Sequence, residues 1–275
     1  QTGSSPAEEI RMSVGADALN EATVLAKLGK RVRLETIIGS DKAGKYIEEH
    51  CRESGIELAE DCIRDEITTG INVVLIDRDG ERHFLTDPCS TLRKLTVRDI
   101  HMPFPESAEI VCFASIFVFP EIGPGEMETI FRCAKEKGKT VCADMTKRKK
   151  NETASDLACA LQYVDYLFPN DEEAMLLTGN DTVEEAAEVL RDSGAGTVAV
   201  KCGRRGCYLL EKKKKGIWIP AEKGIECLDT TGAGDSFAAG FLFALSEGKS
   251  AEECAGYGNH CGARAVSVVG ATEWL

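Results

Sequence analysis

The hydrophobic and polar positions of this chain follow two alternating patterns. Short runs rich in β-branched and other apolar residues, such as 110–114 and 197–201, are followed by segments whose apolar residues recur every three or four positions, such as 183–192. The first pattern predicts buried strands, and the second predicts amphipathic helices. Because strands and helices follow one another in turn, the chain has the order of a mainly parallel α/β sheet covered by helices.

The individual elements follow from this reading of the sequence. The predicted strands are 31–38, 110–114, 140–143, 166–168, 197–201 and 206–210. The predicted helices are a first one that ends near Leu28, then 42–54, 125–137, 151–161, 172–177, 183–192, an apolar one at 237–245, and 251–266.

Residues 57–90 break the alternation, because no helical pattern fits them. Short strands are predicted at 62–69, 70–76 and 82–85, with Asp79-Gly80 as a hairpin turn. A further short strand is predicted at about 9–14. These strands form a small sheet that projects from the main domain, and such an appendage commonly serves as a lid or an interface.

One stretch near the C-terminus carries most of the candidate chemistry. The sequence Asp229-Thr-Thr-Gly-Ala-Gly-Asp235, called the glycine turn below, joins an extended run at 225–227 to the apolar helix. Glycines that open into a helix N-terminus present backbone N–H groups to an anion such as phosphate. Asp235 falls in the first helical turn, where a carboxylate could abstract a proton during phosphoryl transfer. The alternative is a helix end followed by an ordinary acidic first turn.

Composition and charge narrow the function class. With 275 residues, 43% apolar and 29% charged, the chain is typical of a soluble globular protein with one large or two small domains. Its net charge of −13 argues against nucleic acid or an anionic membrane as the main partner. The 12 cysteines are scattered without a C-x-x-C motif, which indicates reduced thiols and a cytoplasmic location. Neither a signal peptide nor an apolar run of membrane-spanning length is evident.

Four motifs together resemble the ribokinase-like (PfkB) family of carbohydrate kinases. They are the glycine turn, Pro169-Asn170-Asp-Glu-Glu173-Ala174, Lys201-Cys-Gly-Arg-Arg-Gly206 and Gly15-Ala-Asp-Ala-Leu-Asn20. The resemblance implies a single domain over 1–275, built as a three-layer α/β/α sandwich with a β-sheet lid. It also implies an ATP-dependent sugar kinase that uses Mg²⁺, and K⁺ in the members that potassium activates. Lids in this family often pair in homodimers.

The same resemblance assigns site residues by position. Asp235 is expected to be the catalytic base, and the N–H groups of Gly232, Ala233 and Gly234 are expected to form an anion hole. The positions expected at the sugar are Gly15, Ala16, Asp17 and Asn20, and those expected at the nucleotide are Asn170, Glu173, Lys201, Gly203, Gly206 and Asn259. Asp229, Thr231, Ala265, Val268 and Gly270 match the monovalent-cation site, and Glu173 acts indirectly on Mg²⁺.

Some assignments have plain structural alternatives. Asp17 could simply cap a helix. Residues Asp144 to Arg148 resemble an Asp-x-Asn-x-Arg element, but Asp144 could instead sit in a strand-end turn, and Thr146 replaces the Asn. The charge run 212–215 is expected to be a solvated hairpin tip.

Two further departures from the family pattern keep other functions open. Ala16 stands at the second glycine of the family's glycine pair, and no counterpart of the family's first strand, which carries a sugar-binding Asp, precedes Glu9. The alternatives are a nucleoside kinase of the same fold and a catalytically silent sugar-binding protein. The sequence does not distinguish which sugar, or which hydroxyl, is phosphorylated.

Overall fold

The structure is a computed structural model, and it describes residues 7, 8, 10–76 and 82–275. Its main sheet has six strands within these residues, in the order β12-β11-β10-β9-β8-β7. Strands β7 (Ile110–Ile116), β8 (Thr140–Met145), β9 (Tyr166–Phe168) and β10 (Thr197–Lys201) are parallel. Strands β11 (Cys207–Glu211) and β12 (Ile217–Ile219) extend the sheet antiparallel.

Helices cover both faces of this sheet. Successive residues of a strand point to opposite faces, and the buried residues divide in that way. Val141 and Ala143 pack in one core with α3 (Pro124–Glu136), α4 (Ala158–Leu161), α5 (Asp171–Thr178) and α6 (Val183–Asp192). Cys142 packs in the other core with α7 (Ala233–Ser246) and α8 (Ala251–Ala265). The three-layer α/β/α sandwich with a mainly parallel sheet is therefore confirmed.

A third, smaller core lies around α1 (Asp17–Lys27) and α2 (Lys42–Ser54). It includes β1 (Val32–Leu34), which pairs parallel with β3 (Ile56–Leu58). Nearby, β2 (Ile38–Gly39) pairs parallel with β4 (Ile63–Arg64). Beyond them β5 (Asn72–Ile76) and β6 (Arg82–Thr86) form an antiparallel hairpin, called the lid hairpin below.

The first half of the chain departs from several sequence predictions. The strand expected at 31–38 is two strands, because the chain leaves β3 at Leu34 and pairs with β4 from Ile38. Strand β3 was not predicted, and the strand expected at 62–69 is only β4. Residues 10–14 form no strand, and residue 9 and the predicted Asp79-Gly80 turn lie outside the described residues.

The second half of the chain departs from the sequence predictions at two places. The helix expected at 151–161 is a 3-10 helix (Ala154–Leu157) followed by the single turn of α4. The extended run at 225–227 is not a strand, because the chain there docks on the end of α8, where the N–H groups of Leu228 and Asp229 donate to Val266 O. The tip at 212–215 joins β11 to β12 in an antiparallel hairpin, as predicted, although no bounds were predicted for β12. No helix in the described ranges is long and apolar enough to cross a membrane.

Candidate active site

The glycine turn leads into α7 at position 232, which only glycine can occupy. Gly232 is the N-cap of the helix and has φ = +70°, a conformation that L side chains rarely adopt. A Cβ at this position would lie 2.7 Å from Cα of Ala271. Both conformation and space therefore require glycine here.

The N-terminus of α7 presents backbone N–H groups beside a cation. The first N–H groups of a helix have no partner within the helix and form the positive end of its dipole. Of the three amides predicted to bind an anion, that of Ala233 already donates a hydrogen bond within the turn, to Thr230 O at 3.3 Å. A Cβ at Gly234 would lie 3.3 Å from Nζ of Lys201. The predicted anion hole is thus flanked by an ammonium group.

Asp235 lies in the first turn of α7, as predicted, and is half-buried. Its Oδ2 accepts a hydrogen bond of 2.7 Å from Nδ2 of Asn20. Burial raises the pKa of Asp235 to about 7, with Asp17 and Asp144 adding to the shift while Asn20 and Lys201 oppose it. A carboxyl with this pKa can accept a proton near neutral pH and release it again.

The predicted sugar residues lie at the start of α1, and Asn20 and Asp17 line the same region as Asp235. Asp17 Oδ2 accepts a 2.6 Å hydrogen bond from Oγ of Ser115 at the end of β7. Ala16, the N-cap of α1, has φ = +81°, which is strained for a residue with a side chain. At Gly15 there is room for a side chain, since a Cβ there would meet nothing within 4 Å.

Lys201 and Asp144 form a buried ion pair that the sequence analysis did not pair. Lys201 Nζ lies 2.7 Å from both carboxylate oxygens of Asp144. Burial raises the pKa of Asp144, although Lys201 opposes the shift. Burial alone would lower the pKa of Lys201, but Asp144 and Glu173 outweigh it and raise the pKa. The pair could have been predicted from the sequence, because Asp144 and Lys201 each lie near the carboxyl end of a buried strand, β8 and β10.

Asn170 and Glu173 form a capping box at the start of α5. Asn170 Oδ1 accepts from the Glu173 N–H, and Glu173 Oε2 accepts from the Asn170 N–H, both at 2.8 Å. Burial raises the pKa of Glu173 to about 7, against the opposing charge of Lys201. The pair therefore caps the N-terminus of α5.

The remaining predicted nucleotide residues lie at the edge of the sheet near β12. Gly203 and Gly206 belong to the bend between β10 and β11, and a Cβ at Gly206 would lie 2.1 Å from Ile219 O. Asn259 Nδ2 donates to the carbonyl groups of Ile219 and Pro220, at 3.0 and 3.1 Å. Asn259 thus fastens α8 to the strand edge.

The predicted cation residues meet where the glycine turn joins the end of α8. Asp229 Oδ1 accepts from N and Oγ1 of Thr231, and its Oδ2 accepts from Gly270 N at 3.0 Å. Val268 N–H lies 3.4 Å from Ala265 O. In the described part of the chain, no group of three or more His, Cys, Asp or Glu residues is arranged to hold a metal ion.

Glu21 is a buried carboxyl that no sequence pattern indicated. It is 3% exposed, and its Oε2 lies 3.3 Å from the Cys112 thiol that donates to it. Its Oε1 has no hydrogen-bond partner among the described residues. Burial raises its pKa well above the ordinary value, with Asp144, Asp235 and Asp17 adding to the effect. Glu21 is thus a buried carboxyl whose protonated form is favoured by burial and by the nearby acidic side chains of the site.

Comparison with known proteins places the chain in a family. The model of the pfkB family of carbohydrate kinases matches residues 1–275. A ribokinase of Haemophilus influenzae is 28% identical over 273 residues, which cover 96% of this chain and 84% of that protein.

Two solved structures share the fold over nearly the whole chain. The ribokinase of Thermotoga maritima has a TM-score of 0.81 and 28% identity, covering 99% of this chain and 87% of its own. The ribokinase of Arabidopsis thaliana, solved with ribose and ATP, has a TM-score of 0.78 and 26% identity, covering 95% of this chain and 84% of its own. The chain therefore belongs to the pfkB family of carbohydrate kinases, phosphotransferases that act on a sugar hydroxyl.

Proposed function

We propose that this chain catalyses ATP-dependent phosphorylation of a hydroxyl on a small sugar, such as ribose, fructose or a related compound. The observation that carries the proposal is the placement of Asp235. It is a carboxyl with a pKa raised to about 7 by burial, in the first turn of a helix that begins at a glycine. A base and an anion site thus share one helix end.

Asp235 is the general base in this proposal. It takes the proton of the attacking sugar hydroxyl as that oxygen bonds to the γ-phosphorus of ATP, and ADP leaves. Asn20 Nδ2 fixes the carboxylate through Oδ2, which leaves Oδ1 for the substrate hydroxyl. General-base assistance of this kind contributes about 10²–10⁴ in rate.

The N-terminus of α7 and the neighbouring Lys201 stabilise the transferring phosphoryl group in this proposal. The N–H groups of Gly232 and Gly234 and the partly engaged Ala233 supply fixed dipoles. Lys201 lies beside Gly234, so we place its ammonium group near the developing negative charge. Asp144 holds that ammonium in position through both carboxylate oxygens.

Sugar binding is assigned to the N-terminal end of α1. Asp17 and the free amide oxygen of Asn20 are acceptors for sugar hydroxyl groups. The buried Asn20 Oδ1 has no partner among the described residues, which supports this role. Gly15 and Ala16 would contribute backbone. The same end of the helix could serve the ribose of a nucleoside, but no observed feature favours that substrate over a free sugar.

The nucleotide and cation assignments follow from the remaining residues. Asn170, Gly203, Gly206 and Asn259 would border the ATP. The donor set fits Mg²⁺ held mainly by phosphate and water with Glu173 nearby, and the ion would neutralise phosphate charge when bound. Asp229 and the backbone around Ala265, Val268 and Gly270 would form a K⁺ site, supported by the contact of Asp229 with Gly270.

The lid hairpin would close over the sugar and pair with a second copy of the chain. Four of its described apolar side chains are exposed: Val73 (47%), Val74 (42%), Leu75 (53%) and Leu85 (59%), and Val73 and Leu85 are cross-strand partners. An exposed patch of this kind marks an interaction site. We also propose that the protein works in the cytoplasm, because the cysteines in the described part of the chain are all free thiols.

The test is ADP release measured with purified protein, ATP and Mg²⁺ over ribose, fructose, other pentoses and hexoses, keto-sugar acids and nucleosides. We expect a sugar to raise ADP release well above the rate with ATP alone. If only nucleosides do so, the enzyme is a nucleoside kinase. If no acceptor does so while ATP and sugars still bind, the chain is a silent binding protein and the proposal is wrong.

A further inference from the structure

The segment 270–274, called the C-terminal segment below, contacts the glycine turn, helix α7 and the end of helix α1. A Cβ at Gly232 would lie 2.6 Å from Ala271 O, so the segment packs directly on the helix N-cap. One residue earlier in the segment, the N–H of Gly270 donates to Asp229 Oδ2. The segment therefore covers the glycine turn from outside.

Trp274 extends this contact to the residue next to the base. Its indole Nε1–H donates to Oγ of Ser236 at 3.1 Å. Ser236 is fully buried, so the indole supplies a hydrogen-bond partner to a hydroxyl that water does not reach. Ser236 follows Asp235 in the first turn of α7, and its own N–H donates to Gly232 O at 2.8 Å. The indole thus fixes the turn that carries the base.

Helix α1 contacts the same segment through its last residue, at the opposite end from the proposed sugar residues. Lys27 at the end of α1 donates from Nζ to the carbonyl oxygen of Thr272 at 3.1 Å, and Thr272 is 7% exposed. Helix α1 also carries Asn20, which binds Asp235. The C-terminal segment therefore joins the helix of the proposed sugar residues to the helix of the proposed base.

We infer that Trp274 is a positioning residue for Asp235, acting through Ser236. The inference rests on the proposed function of Asp235 but adds a residue outside the glycine turn. Trp274 does not touch substrate in this account. Its hydrogen bond holds the first turn of α7 so that the carboxylate and the helix amides keep their relative placement, on which phosphoryl transfer depends.

The experiment uses the full chain with Trp274→Phe and Ser236→Ala, singly and together. Trp274→Phe keeps an aromatic ring but removes the N–H donor together with part of the ring volume, whereas Ser236→Ala removes only the hydroxyl that accepts the hydrogen bond. We expect kcat to fall roughly tenfold in each single variant, with KM for sugar and ATP changed less than about threefold. The double variant should be no slower than the slower single one, because both changes remove one interaction.

Ser246→Ala is the matched control. Ser246 lies at the far end of the same helix, where its Oγ donates to Phe243 O at 2.7 Å. This variant should keep the wild-type kcat. A wild-type kcat in Trp274→Phe, or strictly multiplicative losses in the double variant, would overturn the inference.

A readout without turnover separates this inference from the proposed function. The chain has two tryptophans, so in a Trp218→Phe background, with excitation at a wavelength that tyrosine does not absorb, the emission comes from Trp274 alone. We expect ADP to change that emission, and Ser236→Ala to abolish the change. If wild-type protein shows no sugar-dependent ADP release, the proposed function fails. If turnover is present but the emission ignores ADP and kcat is insensitive to Trp274→Phe, only the positioning role fails.

Discussion

At the scale of single residues, Asp235 shows a conflict between stability and function. Its carboxyl is half-buried, near Asp17 and Asp144, and one amide donor opposes the resulting shift. A carboxyl in water has a pKa of about 3.9, so between about pH 4 and pH 7 the folded protein holds a proton that the unfolded chain has released. The ionised base is therefore a state that the fold tolerates at a cost.

Asp235→Asn should stabilise the protein at alkaline pH. The pKa of Asp235 is raised on folding, so the wild type loses stability as pH rises from about 4 through 7, and the uncharged amide does not. We expect the free energy of unfolding of the variant, relative to wild type, to be about 1–3 kcal/mol more favourable at pH 8 than at pH 5. Urea unfolding at both pH values measures it. A pH-independent difference would show that Asp235 is not buried as described.

Ala16 is a second residue at which the fold carries strain. Ala16 has φ = +81° and ψ = 142°, a backbone conformation that residues with a side chain rarely adopt and that costs about 1–3 kcal/mol. Ala16→Gly removes this strain but adds backbone entropy to the unfolded chain. We expect a net gain of about 0.5–1 kcal/mol in the free energy of unfolding, measured by urea denaturation.

Ala16→Val serves as the opposite control at the same position, because its β-branched side chain raises the strain. It should destabilise the fold. If Ala16→Gly is less stable than wild type, the positive φ is not maintained in solution.

At the scale of elements, the pair Lys201–Asp144 joins β10 to β8 across β9. The two side chains are 13% and 3% exposed. When one partner of a buried ion pair is removed, the other charge stays buried without a partner, and the loss in the free energy of unfolding exceeds what the pair itself contributes. The pair also adjoins Gly234, so it connects the sheet to the helix N-terminus.

Lys201→Met should destabilise the protein by about 3–5 kcal/mol, and Asp144→Asn in the same chain should restore most of that loss. The single variant should also move the acidic limb of kcat/KM to higher pH, since Lys201 lowers the pKa of Asp235. Both effects are measured by urea unfolding and pH-dependent ADP release.

The pair Lys135–Asp165 provides a matched control with the same bidentate geometry, at 2.8 and 2.7 Å. Its side chains are 36% and 35% exposed, so Lys135→Met should cost only about 1 kcal/mol or less. If Lys201→Met and Lys135→Met lower the free energy of unfolding equally, the Lys201–Asp144 pair is not buried as described.

At the scale of the whole molecule, the lid hairpin leaves apolar side chains uncovered. Val73 and Leu85 face each other across the hairpin, and both are largely exposed. If a second copy covers them, Val73→Lys with Leu85→Glu should keep the hairpin through a cross-strand ion pair and give a monomer in light scattering. Leu176→Glu, at an exposed position of α5 (40% accessible), should leave the dimer intact. A monomeric wild type at every working concentration would contradict the proposed pairing.

The sequence predicted the sandwich and the glycine turn well, for physical reasons. Strands β9 and β10 and helix α6 were located to the residue, since buried strands and amphipathic helices have clear periods. The short strands β1 to β4 were poorly predicted, because two- and three-residue ladders are set by tertiary pairing rather than by local pattern. The contacts of Lys201 with Asp144 and of Trp274 with Ser236 join distant segments, and no local spacing reports them.

The most direct test of the central claim is ADP release with the best sugar acceptor, measured from pH 5.5 to 9 for wild type and Asp235→Asn. With Asp235 as the base, kcat/KM of the wild type falls as pH drops below about 7, the pKa that burial gives this carboxyl. The variant should lose about 10²–10⁴ in kcat at pH 8 while its folded state persists. An Asp235→Asn enzyme that keeps the wild-type rate would contradict the account.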